Sequence, residues 1–226
     1  VHPPTNNEVF RLAMGRHYPA LRLLWEMNPG AIRKSPDLCQ TAAWLGDLEF
    51  LQWACSCGCI WGPRVCESAA LGGHLAVLQW LRANGCSWDA TTCISAAIRG
   101  RLEVLQWVRA QDPPCPWDAR VCSWAASQGH LQLLEWAHAN GCPWSESSCY
   151  SAAENGRLDV LQWLRAHGCP WDPDTCTLAA MNGHIEVLQW ARAQVPPCPW
   201  TREAIEAAVA EGEYEAADWC RANGCP

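Results

Sequence analysis

The stretch Thr175-Cys176-Thr177-Leu178-Ala179-Ala180-Met181-Asn182-Gly183-His184-Ile185-Glu186-Val187-Leu188-Gln189-Trp190 decides how the whole chain is read. With Gly168-Cys169-Pro170-Trp171-Asp172 before it, it makes one unit that nearly every other part of the sequence copies. Self-similarity at a short fixed period marks stacked repeats, in which a small unit cannot bury its own apolar face and its neighbours bury it. One tryptophan recurs at Trp25, Trp53, Trp80, Trp107, Trp136, Trp163, Trp190 and Trp219, at spacings of 27 to 29 residues. One cysteine series runs Cys39, Cys66, Cys93, Cys122, Cys149 and Cys176, and another Cys59, Cys86, Cys115, Cys142, Cys169, Cys198 and Cys225. The long spacings share one cause, since Asp112-Pro113-Pro114 and Val195-Pro196-Pro197 stand where other repeats have a single glycine. Length change confined to one loop predicts helices stacked in register. About eight repeats, the first and last atypical, fill residues 1–226 and predict one all-α solenoid domain rather than two globules. Beginning at Val1 and stopping inside a repeat at Pro226, the sequence reads as a piece of a longer protein.

Within a unit the boundaries are written in turn chemistry. Ser35-Pro36, Gly62-Pro63 and Asp172-Pro173 share one register, and Asp89, Asp118, Ser145 and Thr201 fill the same slot elsewhere. A capping residue followed by proline starts a helix, because proline at the first helical position gives up an N–H that has no partner there anyway. The first helix stops at Gly46, Gly73, Gly100, Gly129, Gly156, Gly183 and Gly212, where glycine can take the left-handed closing conformation. A second helix follows one turn later, ending at Asn84-Gly85 or Asn140-Gly141. The first repeat is degenerate: Asn7 would cap a short helix over 8–14, and a second would run to about Glu26 and stop at Asn28-Pro29-Gly30.

Leu158, Val160, Leu161, Trp163 and Leu164 cover most of the second helix, so neighbours must bury it on more than one side. Cys176, Ala179 and Ala180 give the first helix a narrow inner face for close approach. Both tryptophan sets, on the second helix and in the loop (Trp61, Trp88, Trp117, Trp144, Trp171, Trp200), are read as inter-repeat core. A buried tryptophan removes about 150–250 Å² from water, roughly 4–6 kcal/mol gross. The competing reading is a stacking surface for carbohydrate or bases.

Half the residues are apolar, 17% are charged and the formal charge is −7, which argues against nucleic acid or an anionic membrane as partner. No apolar run reaches the roughly 18 residues of a membrane span. Sixteen cysteines would suit a disulfide scaffold, but equivalent cysteines of stacked repeats lie about 10 Å apart, and a disulfide needs Cα atoms within roughly 7 Å. Reduced, buried cysteines are therefore expected, and with them an intracellular compartment, cytoplasmic or nuclear.

Ala179-Ala180, two residues, then Gly183-His184-Ile185-Glu186-Val187-Leu188 resembles the helix–turn–helix of an ankyrin repeat. Gly73-His74-Leu75-Ala76-Val77-Leu78 and Gly129-His130-Leu131 repeat the match. The 27-residue period is shorter than the ankyrin period of about 33, so the β-hairpin finger should be trimmed or absent. Cys176 also sits near the leucine of the usual Thr-Pro-Leu-His opening. The short, Cys- and Trp-rich form is similar to arrays of large DNA viruses and protists. The resemblance implies a non-catalytic protein-binding scaffold, with the first helices lining the concave side.

His74, His130 and His184 open the second helix, but Asp47, Arg101, Arg157 and Glu213 fill the same slot, so chemistry common to the repeats is excluded there. The metal candidate is Cys55, Cys57, Cys59 and Cys66, four thiols as zinc takes, though without the CxxC spacing. That is the alternative function. The positions that vary lie at −2, +1 and +5 from the first-helix cysteine, on one face opposite the Ala pair. They make Arg64, Glu67, Ile94, Ile98, Arg120, Ser123, Tyr150, Glu154, Asp174, Thr177 and Met181 the candidate partner-binding residues. No cofactor loop, nucleophile elbow or carboxylate pair stands out. The expected molecule is a monomeric scaffold with a protein partner, no enzyme activity and no cofactor.

Overall fold

The computed structural model describes residue 15 and residues 17–27, 36–59, 61–62 and 64–226. Asn7, the helix over 8–14, Asn28-Pro29-Gly30, Ser35 and Pro63 lie outside them. Among the described residues there are helices and no strand, which removes the β-hairpin finger. The chain divides into two compact units, Val1–Pro116 and Trp117–Pro226. The first holds α1 (Tyr18–Met27) and three helix pairs: α2 (Pro36–Leu45) with α3 (Leu48–Ser56), α4 (Arg64–Gly72) with α5 (Leu75–Ala83), and α6 (Ala90–Ile98) with α7 (Leu102–Arg109). The second holds α8 (Ala119–Gln128) with α9 (Leu131–Ala139), α10 (Glu146–Glu154) with α11 (Leu158–Ala166), α12 (Pro173–Met181) with α13 (Ile185–Arg192), and α14 (Glu203–Glu211) with α15 (Tyr214–Ala222). Inside each unit the first helix of a pair packs on the first helix of the next, α4 on α2 and α6 on α4, then α10 on α8, α12 on α10 and α14 on α12.

The helix starts follow the cap chemistry. Asp89 and Asp118 accept from the backbone N–H of Thr91 (2.8 Å) and Arg120 (3.0 Å), and Ser145 from that of Ser147 (3.4 Å). Thr201 departs from the expectation: Arg202, already helical at φ −54°, precedes α14, and the Thr201 hydroxyl donates to the Glu203 carboxylate at 3.5 Å while its carbonyl accepts from the Ala204 N–H at 3.0 Å. The seven glycines ending first helices all have φ between 63° and 86°. At Gly73 a side chain is excluded twice over, since an added Cβ would also stand 2.7 Å from Cδ of Arg101.

Val160, Leu161, Leu164, Cys176, Ala179 and Ala180 are completely buried, as their spacing predicts. The tryptophans are not. Every described member of both repeating sets is half-buried. The loop and helix rings meet edge to face, Trp88 with Trp107 at 5.8 Å, Trp144 with Trp163 at 5.9 Å and Trp171 with Trp190 at 6.0 Å. Tilted aromatic pairs prefer this geometry. An arginine lies over the loop ring, Arg82 on Trp88 at 4.0 Å and Arg165 on Trp171 at 4.1 Å. In the repeat between them in type, His138 takes the arginine's place and stacks on Trp144 at 3.7 Å. Indole is too wide for a seam built to alanine width, so it closes the seam from outside.

The loop cysteine is pinned whatever the loop length. Cys86 N–H bonds to Leu81 at 2.9 Å in a regular repeat, and Cys115 and Cys198 bond to Val108 and Ala191 at 3.0 Å in the two long ones. The inserted Asp112–Pro113 and Val195–Pro196 bonds are cis.

Candidate functional site

In the second unit the varied face is carried by α8, α10 and α12. Arg120 and Asp174 are exposed, and Ser123, Tyr150, Glu154, Thr177 and Met181 are half-buried. Arg120 is fixed by Asp118, Nη2 to Oδ2 at 2.7 Å and Nε to Oδ1 at 3.0 Å. Hydrogen bonding from the guanidinium, against a small opposing effect of burial, holds the Asp118 carboxyl below its ordinary range. Ser123 and Ser147 share a hydroxyl hydrogen bond at 2.6 Å, so part of this face ties α8 to α10. In the first unit Arg64 is exposed and Glu67 and Ile98 are half-buried. Ile94 is only 8% exposed. It is buried and offers little to a partner, although the residues in the same register of the other first helices are half-buried or exposed.

Two residues outside the expected set stand out. Trp44 is 37% exposed and Trp124 is 42% exposed. They are the two tryptophans belonging to neither repeating set, and that irregularity was the signal in the sequence. Trp124 lies four residues from Arg120 on α8, so the two are neighbours on its surface.

In three repeats the residue opening the second helix reaches back to the preceding repeat. Nε2 of His74 lies 3.0 Å from the Trp44 carbonyl, Nε2 of His184 lies 3.1 Å from that of Glu154, and Nε of Arg157 donates to that of Ser127 at 3.4 Å. These carbonyls belong to the last turn of a first helix, where intrahelical donors run out and cationic groups are favoured. Histidine and arginine exchange freely because either supplies an N–H. Asp47 differs, capping its own helix by accepting from Phe50 at 2.9 Å.

None of the sixteen cysteines is in a disulfide, and only Cys55 and Cys225 are more than slightly exposed. Loop cysteines donate S–H to the carbonyl that starts their own repeat, Cys115 to Asp89 at 3.3 Å and Cys169 to Ser145 at 3.4 Å. The Cys66 thiol donates to Sγ of Cys86 at 3.1 Å. Cys149 likewise lies against Cys169, and Cys176 against Cys198. The four-thiol zinc candidate is divided by this arrangement: Cys55 and Cys59 associate with Cys39, and Cys66 with Cys86. Contact with the Cys55 thiol first, partly opposed by Cys59, and then burial push Cys39 up to about 12. Among the described residues no three His, Cys, Asp or Glu side chains are disposed to hold a metal ion. Inequivalent cysteines meet where equivalent ones cannot.

No described helix is long and apolar enough to cross a membrane. The sequence matches the family model for ankyrin repeats (many copies) over residues 122–165 and 149–192. Matching solved chains number 163. One is the ankyrin repeat domain of human ASB11, 19% identical, with a TM-score of 0.55 over 80% of this chain and 96% of that one. No curated protein sequence matches significantly. Trimmed of their fingers but keeping the helix–turn–helix, the glycine closures and the stacked first helices, the repeats over residues 122–192 match the ankyrin repeat model, and the described chain shares the ankyrin repeat fold.

Proposed function

We propose that the chain is a non-catalytic scaffold that binds a protein partner on the varied face of the first helices. Ankyrin repeats generally mediate protein–protein interaction, and ankyrin repeat proteins are typically non-catalytic. The observation that carries the choice of face is the exposure of Trp124 beside Arg120 on α8, with the half-buried Tyr150 on the next first helix, on a framework whose Ala and Cys positions are fully buried. Tryptophan, tyrosine and arginine dominate the energetics of protein interfaces, and an indole left exposed on a well-packed helix has no packing role that requires it. Arg64, Glu67 and Ile98 would serve the same purpose on the first unit. The register of the sequence repeat continues through residue 116, which favours reading both units as parts of one domain. The net charge of −7 favours a protein partner over nucleic acid, and the absence of disulfides favours a reducing intracellular compartment.

The test is calorimetric titration of an identified partner against wild-type protein and the Arg120→Ala, Trp124→Ala, Tyr150→Ala triple variant. Affinity should fall at least about 30-fold, matching the roughly 2 kcal/mol or more of an interface hot spot, with the melting temperature nearly unchanged. Unaltered affinity would remove this face from consideration.

A further inference from the structure

We propose that Cys66 and Cys86 form a redox-convertible dithiol, a modification site that a hydroperoxide closes to a disulfide within one repeat. The contact is built by the fold. Cys66 stands in α4 at the completely buried seam, and Cys86 follows α5 in the loop that ends the same repeat. Its position is held by the N–H bond to Leu81 at 2.9 Å and by Arg82, whose Nη1 donates to the Cys86 carbonyl at 2.9 Å. The two sulfurs are 3.1 Å apart, about 1 Å beyond a disulfide bond of roughly 2.05 Å. Cys86 is itself buried, but its chain neighbours Gly85 and Ser87 are exposed, so a small oxidant approaches within one residue of the sulfur.

The two thiols are also unequal. The S–H of Cys66 points at Cys86 and favours its thiolate, burial opposes this, and the Arg82 guanidinium adds to the lowering, so Cys86 is shifted down. Cys66 is shifted up, chiefly by Cys86 and then by burial. Thiolate character sets susceptibility to oxidation, and a sulfenic acid next to a second thiol condenses with it.

The Cys86 thiolate attacks one oxygen of the peroxide. The O–O bond breaks, giving the sulfenic acid and hydroxide, which takes up the proton the Cys86 thiol released. The Cys66 sulfur then attacks the sulfenic sulfur, and the hydroxyl leaves with the Cys66 proton as water. Two thiols lose two hydrogens, and one peroxide becomes two waters. A thiol reductant reverses the change. Oxidation to the disulfide would lock the loop to the first helix and hold the repeat shut.

The folded wild-type protein is treated with hydrogen peroxide, its remaining thiols are alkylated in denaturant, and the peptides are mapped by mass. The expected result is a Cys66–Cys86 linked peptide two hydrogens lighter than the reduced pair, lost on reduction, and a free-thiol count lower by two for that pair. A Cys66→Ser variant, checked for native helicity by circular dichroism, should stop at a sulfenic acid on Cys86 that dimedone captures. Recovery of both cysteines as free thiols after Cys225 has been fully oxidised would overturn the proposal. So would linkage of Cys86 mainly to another cysteine, or its passage to sulfinic acid in the wild type without a linked product.

Discussion

Two seams run through each unit, and both are lined by residues that recur with equal regularity. Between the first helices the seam is lined with Ala and Cys: Cys149, Ala152, Ala153, Cys176, Ala179 and Ala180 are all completely buried. Along the loop edge it is Trp with Arg or His: Trp144, Trp163, Trp171 and Trp190 are half-buried with Arg165 and His138 laid over the rings. The inner seam is a problem of width, answered by small side chains that let helices touch. The outer seam is a problem of closure, answered by wide rings in tilted pairs with a cation on top. Recurrence therefore reports that a position matters to every repeat, not that it is buried.

The comparison can be broken first at the apolar layer that backs the inner seam. Leu161 is fully buried in α11, and Leu161→Ala should cost about 2–5 kcal/mol from lost transfer and cavity terms, read as a lower urea midpoint at constant m-value. A loss below about 1 kcal/mol would mean that the unit collapses around small cavities and is not packed as described. At the outer seam the effect should be smaller. Arg165→Ala removes the guanidinium over Trp171 and its hydrogen bond to the Cys169 carbonyl. Together these are worth about 1–2 kcal/mol, and tryptophan fluorescence should shift as the ring gains water. If Arg165→Ala proved as damaging as Leu161→Ala, the two seams would not differ in kind. The smallest change should be a gain. Thr175 Oγ1 is buried without a hydrogen-bond partner, at the position where α4 and α8 have Val65 and Val121. Thr175→Val keeps the shape and removes the unpaired hydroxyl, so stability should rise by about 1 kcal/mol. A destabilised variant would show that the hydroxyl has found a partner.

What the sequence disclosed was the chemistry that acts over a few residues. Asp89, Asp118 and Ser145 cap as their spacing says, and the seven glycines take the left-handed turn. Such choices depend on side-chain reach and backbone freedom, both local. The misreadings depend on distances between helices, which no period encodes. Tryptophan was assigned to the core because it recurs, but ring width against seam width decides that. Helical angle alone puts Ile94 on the open face, yet it is only 8% exposed. The cysteines were compared repeat against equivalent position, whereas Cys66 meets Cys86, twenty residues on in the same repeat. At the candidate site Arg120, Tyr150 and Asp174 were legible as variation within a repeat. Trp124 was legible too, as a tryptophan that fits neither series, but a search for what the repeats share passes over what one repeat alone carries.

The hydrogen bond that runs backwards from His74, Arg157 and His184 has a consequence for how such a chain can change over generations. What it asks of the repeat behind is a main-chain carbonyl, those of Trp44, Ser127 and Glu154, three unrelated residues. Every amino acid carries that group, so the receiving repeat can have any sequence there. The joint is universal on the receiving side and needs only a side-chain N–H on the other, which Asp47 and Glu213 do not supply. Unequal crossing-over that duplicates or reorders repeats opened by histidine or arginine would leave those junctions chemically satisfied without compensating substitutions. The number and order of such repeats can then change without a cost at the joint.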